Sequence, residues 1–180
     1  MDIRATFTGA SRLERLLVGF PEPENGVSSA VIYIPEGDDI KNDTAVSRIR
    51  DMYMACVLDT GPEISFDFDR YDGLFDVLTT IRDKVLVATD RLKSAIRLKQ
   101  ENREKYIRYL RSNAEKAVEV VVEFDDLSGL NTLAELGVFT GRNIDQVIDL
   151  ANRSEQAEIL SYLMNYKNTK IGIFDTDYDL

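Results

Sequence analysis

Asp67, Asp69 and Asp72 fall within six residues. Carboxylates at this density are the raw material of a hard-cation site or of acid–base work. A calcium loop of about twelve residues needs Gly at its sixth position and Glu at its last. Here Tyr71 stands fifth, Asp72 sixth, and no Glu follows at twelve. A magnesium-dependent nuclease or phosphotransfer enzyme would need such acids to converge beside a lysine. The simpler reading is a solvated strand face that ends in a helix cap. Asp175, Asp177 and Asp179 alternate in the same way near the C-terminus and read as an acidic tail. The chain has no histidine. It therefore lacks the commonest general base, the commonest zinc ligand and any Ser–His or Cys–His nucleophile pair. Its ten glycines form neither a phosphate loop nor a dinucleotide pattern. The single cysteine, Cys56, excludes an internal disulfide framework and sits in an apolar phrase, as a small buried hydrophobe does. No catalytic residue, metal or cofactor is expected, and a non-enzymatic role follows.

Charge is the sharper signal. The net charge is −10 over 180 residues, and it is unevenly spread. Residues 1–76 hold 15 acids and 7 bases, residues 91–116 hold 9 bases and 3 acids, and residues 117–180 hold 12 acids and 4 bases. The basic belt comprises Arg91, Lys93, Arg97, Lys99, Arg103, Lys105, Arg108 and Arg111. It could grip phosphates or an acidic protein face, or be the solvated side of two helices laced with Glu101 and Glu104. Only Tyr106 and Tyr109 stand nearby to stack bases, so direct nucleic-acid binding is the less favoured use. An acidic total disfavours bulk nucleic acid and anionic membranes, and permits an acidic surface that meets a basic partner.

These residues must be positioned by the elements around them. In residues 113–168 the chain repeats at a spacing of thirty: Asn113 aligns with Asn143, Val118 with Ile148, Leu130 with Leu160 and Leu133 with Leu163. Ala114, Ala117, Val118 and Val121, like Ile144, Val147, Ile148 and Ala151, fall at i, i+3, i+4 and i+7, one face of a helix. A second apolar stripe follows in each row. The repeat predicts two helix pairs, 113–142 and 143–168. Asn113, Asn143 and Ser154 are expected N-caps, with Gln146 completing a loose capping box and Gly137 a left-handed C-cap. A helix near residues 102–111, with Tyr106, Ile107 and Leu110 as its stripe, is expected to complete the stack.

Residues 126–138, DLSGLNTLAELGV, resemble the second helix and turn of an ankyrin repeat, and residues 151–164, ANRSEQAEILSYLM, resemble the matching stretch of the next. Residues 163–168, LMNYKN, are similar to the phrase that ends ankyrin-like tails of uncharacterised bacterial proteins. The resemblance covers about a third of the chain. It lacks the Thr-Pro-Leu-His motif and runs at thirty residues rather than the ankyrin thirty-three. It implies a helical stack and a partner-binding role, and assigns no binding residue.

Upstream, Ile3, Ala5 and Phe7 alternate as a strand does, residues 12–18 fit one or two helical turns, and Pro21 and Pro23 mark a loop. Residues 30–34 read as a strand, residues 44–58 as a helix capped by Thr44, and residues 64–68 as a third strand. Three strands in one sheet are expected. Asp72 is expected to cap a spine helix over residues 73–99, with Leu74, Leu78, Ile81, Val85, Ala88, Leu92 and Ala95 as its stripe. The predicted fold is α+β and helix-rich: an α+β unit of residues 1–72, then a helical unit of residues 73–180 holding the ankyrin-like stack, together one compact body.

No apolar run is long enough to span a membrane, and the N-terminus lacks a secretory apolar region, so a cytoplasmic protein is expected. The expected function is non-enzymatic binding of another protein, as an inhibitor or regulator. In size and charge the chain also resembles small acidic phage proteins that inhibit defence nucleases, the anti-CRISPR proteins among them. That resemblance implies a partner that is a nucleic-acid-binding enzyme or its nucleoprotein complex, met by acidic faces around Asp67, Asp69 and Asp72.

Overall fold

The computed structural model describes residues 2–8, 13–24, 27–35, 44–59 and 64–172. The expectations placed on residue 12 and on Asp175, Asp177 and Asp179 lie outside these. The described chain is α+β and helix-rich, with five strands and eight α-helices among the described residues. It divides into two compact units, residues 1–109 and 110–180, so the boundary falls at residue 109 rather than at 72.

In the first unit, β1 (Asp2–Thr8), β2 (Leu13–Glu24) and β3 (Val27–Tyr33) form an antiparallel sheet in that order. Of the residues expected to be helical at 12–18, those from 13 to 18 therefore belong to the central strand. Leu13, Leu16 and Leu17 satisfy helical spacing, but Leu16 and Val18 also satisfy a period of two, and tertiary pairing decides the ambiguity. Leu16 lies opposite Ile32 and Val18 opposite Ala30, and all four side chains are buried. Pro21 and Pro23 stand inside β2 rather than in a loop. Proline has no N–H to donate, and the ladder with β3 is irregular between Gly19 and Glu24, where both prolines fall. A helix, α1 (Thr44–Met54), follows. Then β4 (Val57–Asp59) and β5 (Ile64–Phe66) pair with each other as a separate antiparallel ladder, so the expected third strand does not join the main sheet.

The predicted spine helix is broken. A short helix, α2 (Phe68–Gly73), is capped by Asp67, whose side chain accepts from the Arg70 N–H at 2.9 Å. A single 3₁₀ turn follows at Phe75–Val77, and Leu78 is extended. A new helix, α3 (Ile81–Ser94), starts where Thr80 Oγ1 accepts from the Asp83 N–H at 3.0 Å. Two successive β-branched threonines disfavour continuing the earlier helix, and Thr80 does better as a cap. Ile81 and Val77, on either side of the break, are consequently exposed. Asp72 caps nothing; it is buried within α2. α3 ends at Ala95, where φ is 48°, and Arg97 is also left-handed at 50°. α4 (Gln100–Ser112) then buries Asn102, Tyr106 and Leu110 along one side.

In the second unit the thirty-residue repeat is structural. α5 (Ala114–Glu123) and α6 (Leu127–Glu135) form one pair, α7 (Ile144–Arg153) and α8 (Ala157–Tyr166) the next. The links repeat at the same spacing: Asp125 and Glu155 are both left-handed, at φ 52° and 55°. The Asp126 N–H donates to Val121 O at 2.8 Å, and the Gln156 N–H donates to Ala151 O at 3.3 Å. α5 packs on α7 and α6 on α8, and Leu133 and Leu163 are both fully buried in equivalent places. The caps differ from expectation. Asn113 and Asn143 occupy the N-cap positions, but neither side chain accepts a cap bond. Asn143 turns back instead, accepting from the Thr140 N–H and donating to Val138 O. Ser154 ends α7 rather than starting α8, which begins after Gln156. Asp126 caps α6 by accepting from the Gly129 N–H at 2.8 Å.

Gly137, at φ +70°, ends α6 in the left-handed conformation its position predicts. Glu155 occupies the same region with a Cβ, which costs about 1 kcal/mol. Gly137→Ala should therefore destabilise the second unit by about 1 kcal/mol, and Glu155→Gly should stabilise it by up to about as much. Thermal or urea unfolding of the two variants checks the pair; equal shifts of one sign would contradict the assigned backbone.

Candidate protein-binding groove

The acids named from sequence do not converge. Asp67 caps α2, Asp69 is exposed and meets Lys99 at 2.9 Å, and Asp72 is buried. Among the described residues no group of three or more His, Cys, Asp or Glu side chains is placed to hold a metal ion. Asp72 is thus withdrawn from the candidate acidic surface. Each of its neighbours in sequence is directed elsewhere, because α2 turns them to different sides.

The basic belt is also dispersed. Arg91 is fully buried and leaves it. Its Nε and Nη2 donate to the two Asp72 oxygens at 2.7 and 2.9 Å, and Nη2 also donates to Ile96 O at 3.0 Å. Lys93 pairs with Asp90, Lys99 with Asp69, and Lys105 with Asp76. Arg97, Arg103, Arg108 and Arg111 are exposed, and Arg111 donates to Leu136 O. Glu101 and Glu104 lie exposed on α4 with Arg108. The belt is therefore an interrupted strip in which Arg91, Lys93, Lys99 and Lys105 are each paired with an acid.

What the sequence concealed is a buried polar network around α3. The whole run 85–91 of that helix is buried, with Thr89, Asp90 and Arg91 in it. Arg15 pairs with Asp90 at 2.9 Å, the Tyr33 hydroxyl donates to Asp83 at 2.8 Å, and the Tyr106 hydroxyl donates to Asp72 at 2.7 Å. The Tyr71 hydroxyl donates to Tyr33 O at 2.6 Å. Burial above all holds the Tyr53, Tyr71 and Tyr106 hydroxyls well above the usual tyrosine range, with Asp72 adding to it at Tyr106. Burial likewise pushes the Cys56 thiol up to about 12. Apart from the Tyr53 hydroxyl and Arg91 Nη1, which are buried without a partner, these groups satisfy one another inside the first unit and bind it together. Buried charges are tolerated where they are paired and hydrogen-bonded.

An open surface of a different kind lies in the second unit, between α5 and α7. The two helices run parallel, because Glu115 lines one end of the depression with Gln146 and Glu123 lines the other with Ser154. Two adjoining hollows, of about 460 and 430 Å³, share Glu119 and Leu150. The floor is apolar: Val118, Val122, Val147 and Leu150. The α5 wall is acidic. Glu115, Glu119 and Glu123 stand at i, i+4 and i+8, one acid per turn and about 6 Å apart along the axis. Glu119 accepts from Lys116 at 2.6 Å, which raises the lysine's pKa through that hydrogen bond; Glu115 and Glu123 are exposed. On the α7 wall, Arg153 is the only base lining these hollows, and its Nε donates to Asp149 O. At the Glu123 end, Gln156 donates through Nε2 to Val122 O, and its Oε1 is buried without a donor.

No protein-family model, curated protein or solved structure matches the chain. The reading of the groove thus rests on its own geometry. Sequence reasoning missed it although the signal was present. The apolar stripe of residues 114–121 predicts the helix, and the acids at four-residue spacing beside it mark one wall of the groove. Among the described residues no helix is long and apolar enough to cross a membrane.

Proposed function

We propose that the protein is a non-enzymatic binding module that engages another protein through the α5–α7 groove. The observation that carries this reading is the groove itself: an apolar floor between two stacked helices, walled on one side by three regularly spaced glutamates. Open, elongated hollows over a packed helical layer suit a polypeptide segment better than a small substrate, which is normally enclosed on most sides. The thirty-residue repeat supports the same reading, since stacked helix pairs present extended surfaces, as the ankyrin-like resemblance implies. Inhibition or regulation of a nucleic-acid-handling enzyme is the narrower form of this proposal. The acidic stripe supports it by offering a basic protein surface the charges that nucleic acid would.

A photo-crosslinking residue at position 146, exposed on the α7 wall, tests the proposal in the full chain, with position 103 on α4 as the control. Position 146 is expected to give a discrete protein adduct in cells and position 103 none. Adducts from position 103 alone would move the binding surface to the first unit and overturn the reading.

A further inference from the structure

We infer that the occupant of the α5–α7 groove is a basic amphipathic helix of a protein partner. This rests on the groove being the binding surface, and adds what its chemistry selects. The α5 wall offers acceptors alone: Glu115, Glu119 and Glu123. Gln156 Oε1, beside the Glu123 end, is buried and lacks a donor. Their spacing is that of one helical turn, about 6 Å for four residues. A partner helix laid along the groove with Lys or Arg at i, i+4 and i+8 matches it charge for charge. Its i+3 and i+7 positions then lie over Leu150, which is half-buried, while the valines beneath are already packed inside the helix layer. Among the described residues Glu115 and Glu123 form no ion pair that an incoming base would have to displace, and the Lys116–Glu119 pair is solvent-exposed, so exchanging it costs little. Across the floor, Arg153 stands on the opposite wall, so an occupant whose charged side faces α5 is favoured over its mirror arrangement.

The remainder of the second unit agrees in sign. Residues 110–180 carry 13 acids and 6 bases, so a cationic segment is drawn toward it from outside the groove as well. The contacts are rim charges above a shallow floor. They select a partner and speed its arrival more than they hold it, and they weaken as salt shortens the Debye length from about 10 Å at 0.1 M.

The test uses the full chain and a synthetic sixteen-residue helical peptide with Lys at i, i+4 and i+8 and Leu at the intervening inward positions. The controls are the same peptide with Glu for Lys and a proline-broken peptide of the same composition. Fluorescence anisotropy is expected to give binding of the Lys helix only, weakened about tenfold or more in the double variant E115K/E123K and unchanged in E158K, an exposed acid outside the groove. Residue-resolved NMR shifts should fall on α5 and α7. Equal binding of the Glu helix, equal binding of the broken peptide, or no loss in E115K/E123K would overturn the inference. If position 146 captures a partner while the Lys helix fails to bind, the groove reading stands and the basic-helix occupant is wrong. If the Lys helix binds but shifts only residues of the first unit, both are wrong.

Discussion

Arg91→Met is expected to destabilise the first unit by about 3–5 kcal/mol, the largest effect of any single change considered for this protein. Arg91 and Asp72 are both fully buried, and the guanidinium holds both carboxylate oxygens. Removing the arginine strands the Asp72 carboxyl in the core without its bidentate partner, with the Tyr106 hydroxyl still donating to it. It also frees Ile96 O, the carbonyl that Arg91 Nη2 pins between the two left-handed residues Ala95 and Arg97. The turn joining α3 to α4 thus loses its brace at the same moment. Replacing both partners, Asp72→Leu with Arg91→Met, should recover much of the loss, because the stranded charge rather than the missing attraction carries the cost. Urea unfolding read by Cys56 reactivity isolates the first unit, since Cys56 is the only thiol in the chain and is buried there. A loss under about 1 kcal/mol for Arg91→Met would show that the pair is hydrated and the network is not a structural clamp.

The second large effect is alkaline. Tyr53, Tyr71 and Tyr106 have folded-state pKa values raised above the ordinary value near 10. A raised pKa means the folded state keeps its proton longer than the unfolded state does. The associated stability is complete below about pH 10 and is lost as pH climbs beyond it. With three such hydroxyls the folded chain binds about three protons more than the unfolded one at high pH. Stability should then fall by about 4 kcal/mol per pH unit there. Tyrosinate absorbance should show exposed tyrosines titrating smoothly and these three ionising together with unfolding. Tyr71→Phe and Tyr106→Phe should each reduce the slope by about a third while costing a hydrogen bond. Tyr53→Phe should reduce the slope equally without that cost, because its buried hydroxyl has no partner. Three independent titrations below the unfolding transition would refute the burial assigned to these rings.

Both effects sit in the part of the molecule that the sequence described least well. Helix pairs such as α5–α6 and α7–α8 announce themselves because their apolar residues recur at helical spacing and their contacts are local. Gly137 was legible for the same reason: its conformational role is set by the turn beside it. β2 was not legible as a strand, since Leu13, Leu16 and Leu17 fit a helix equally well until β1 and β3 pair with it. Arg91 was placed on the surface because charge reads as surface. Its partner Asp72 lies 19 residues away, and nothing local reveals that the two meet in the core. The break before α3 was legible in principle, as Thr80 followed by Asp83 at the third helical position, but an apolar stripe running across it concealed the cap. The candidate groove depended on α5 and α7 coming together, which the repeat implied. Its acidic wall could have been read from Glu115, Glu119 and Glu123 directly.

The links of the repeat carry a consequence for how this chain can change length. Asp125 and Glu155 adopt the same strained conformation thirty residues apart, and the backbone hydrogen bonds around them coincide. A duplicated stretch of thirty residues inserted at such a link meets, on both sides, the junction it came from. The second unit is therefore built to grow by whole modules. Each added pair would lay one more helix alongside α5 and α7 and widen the surface they present.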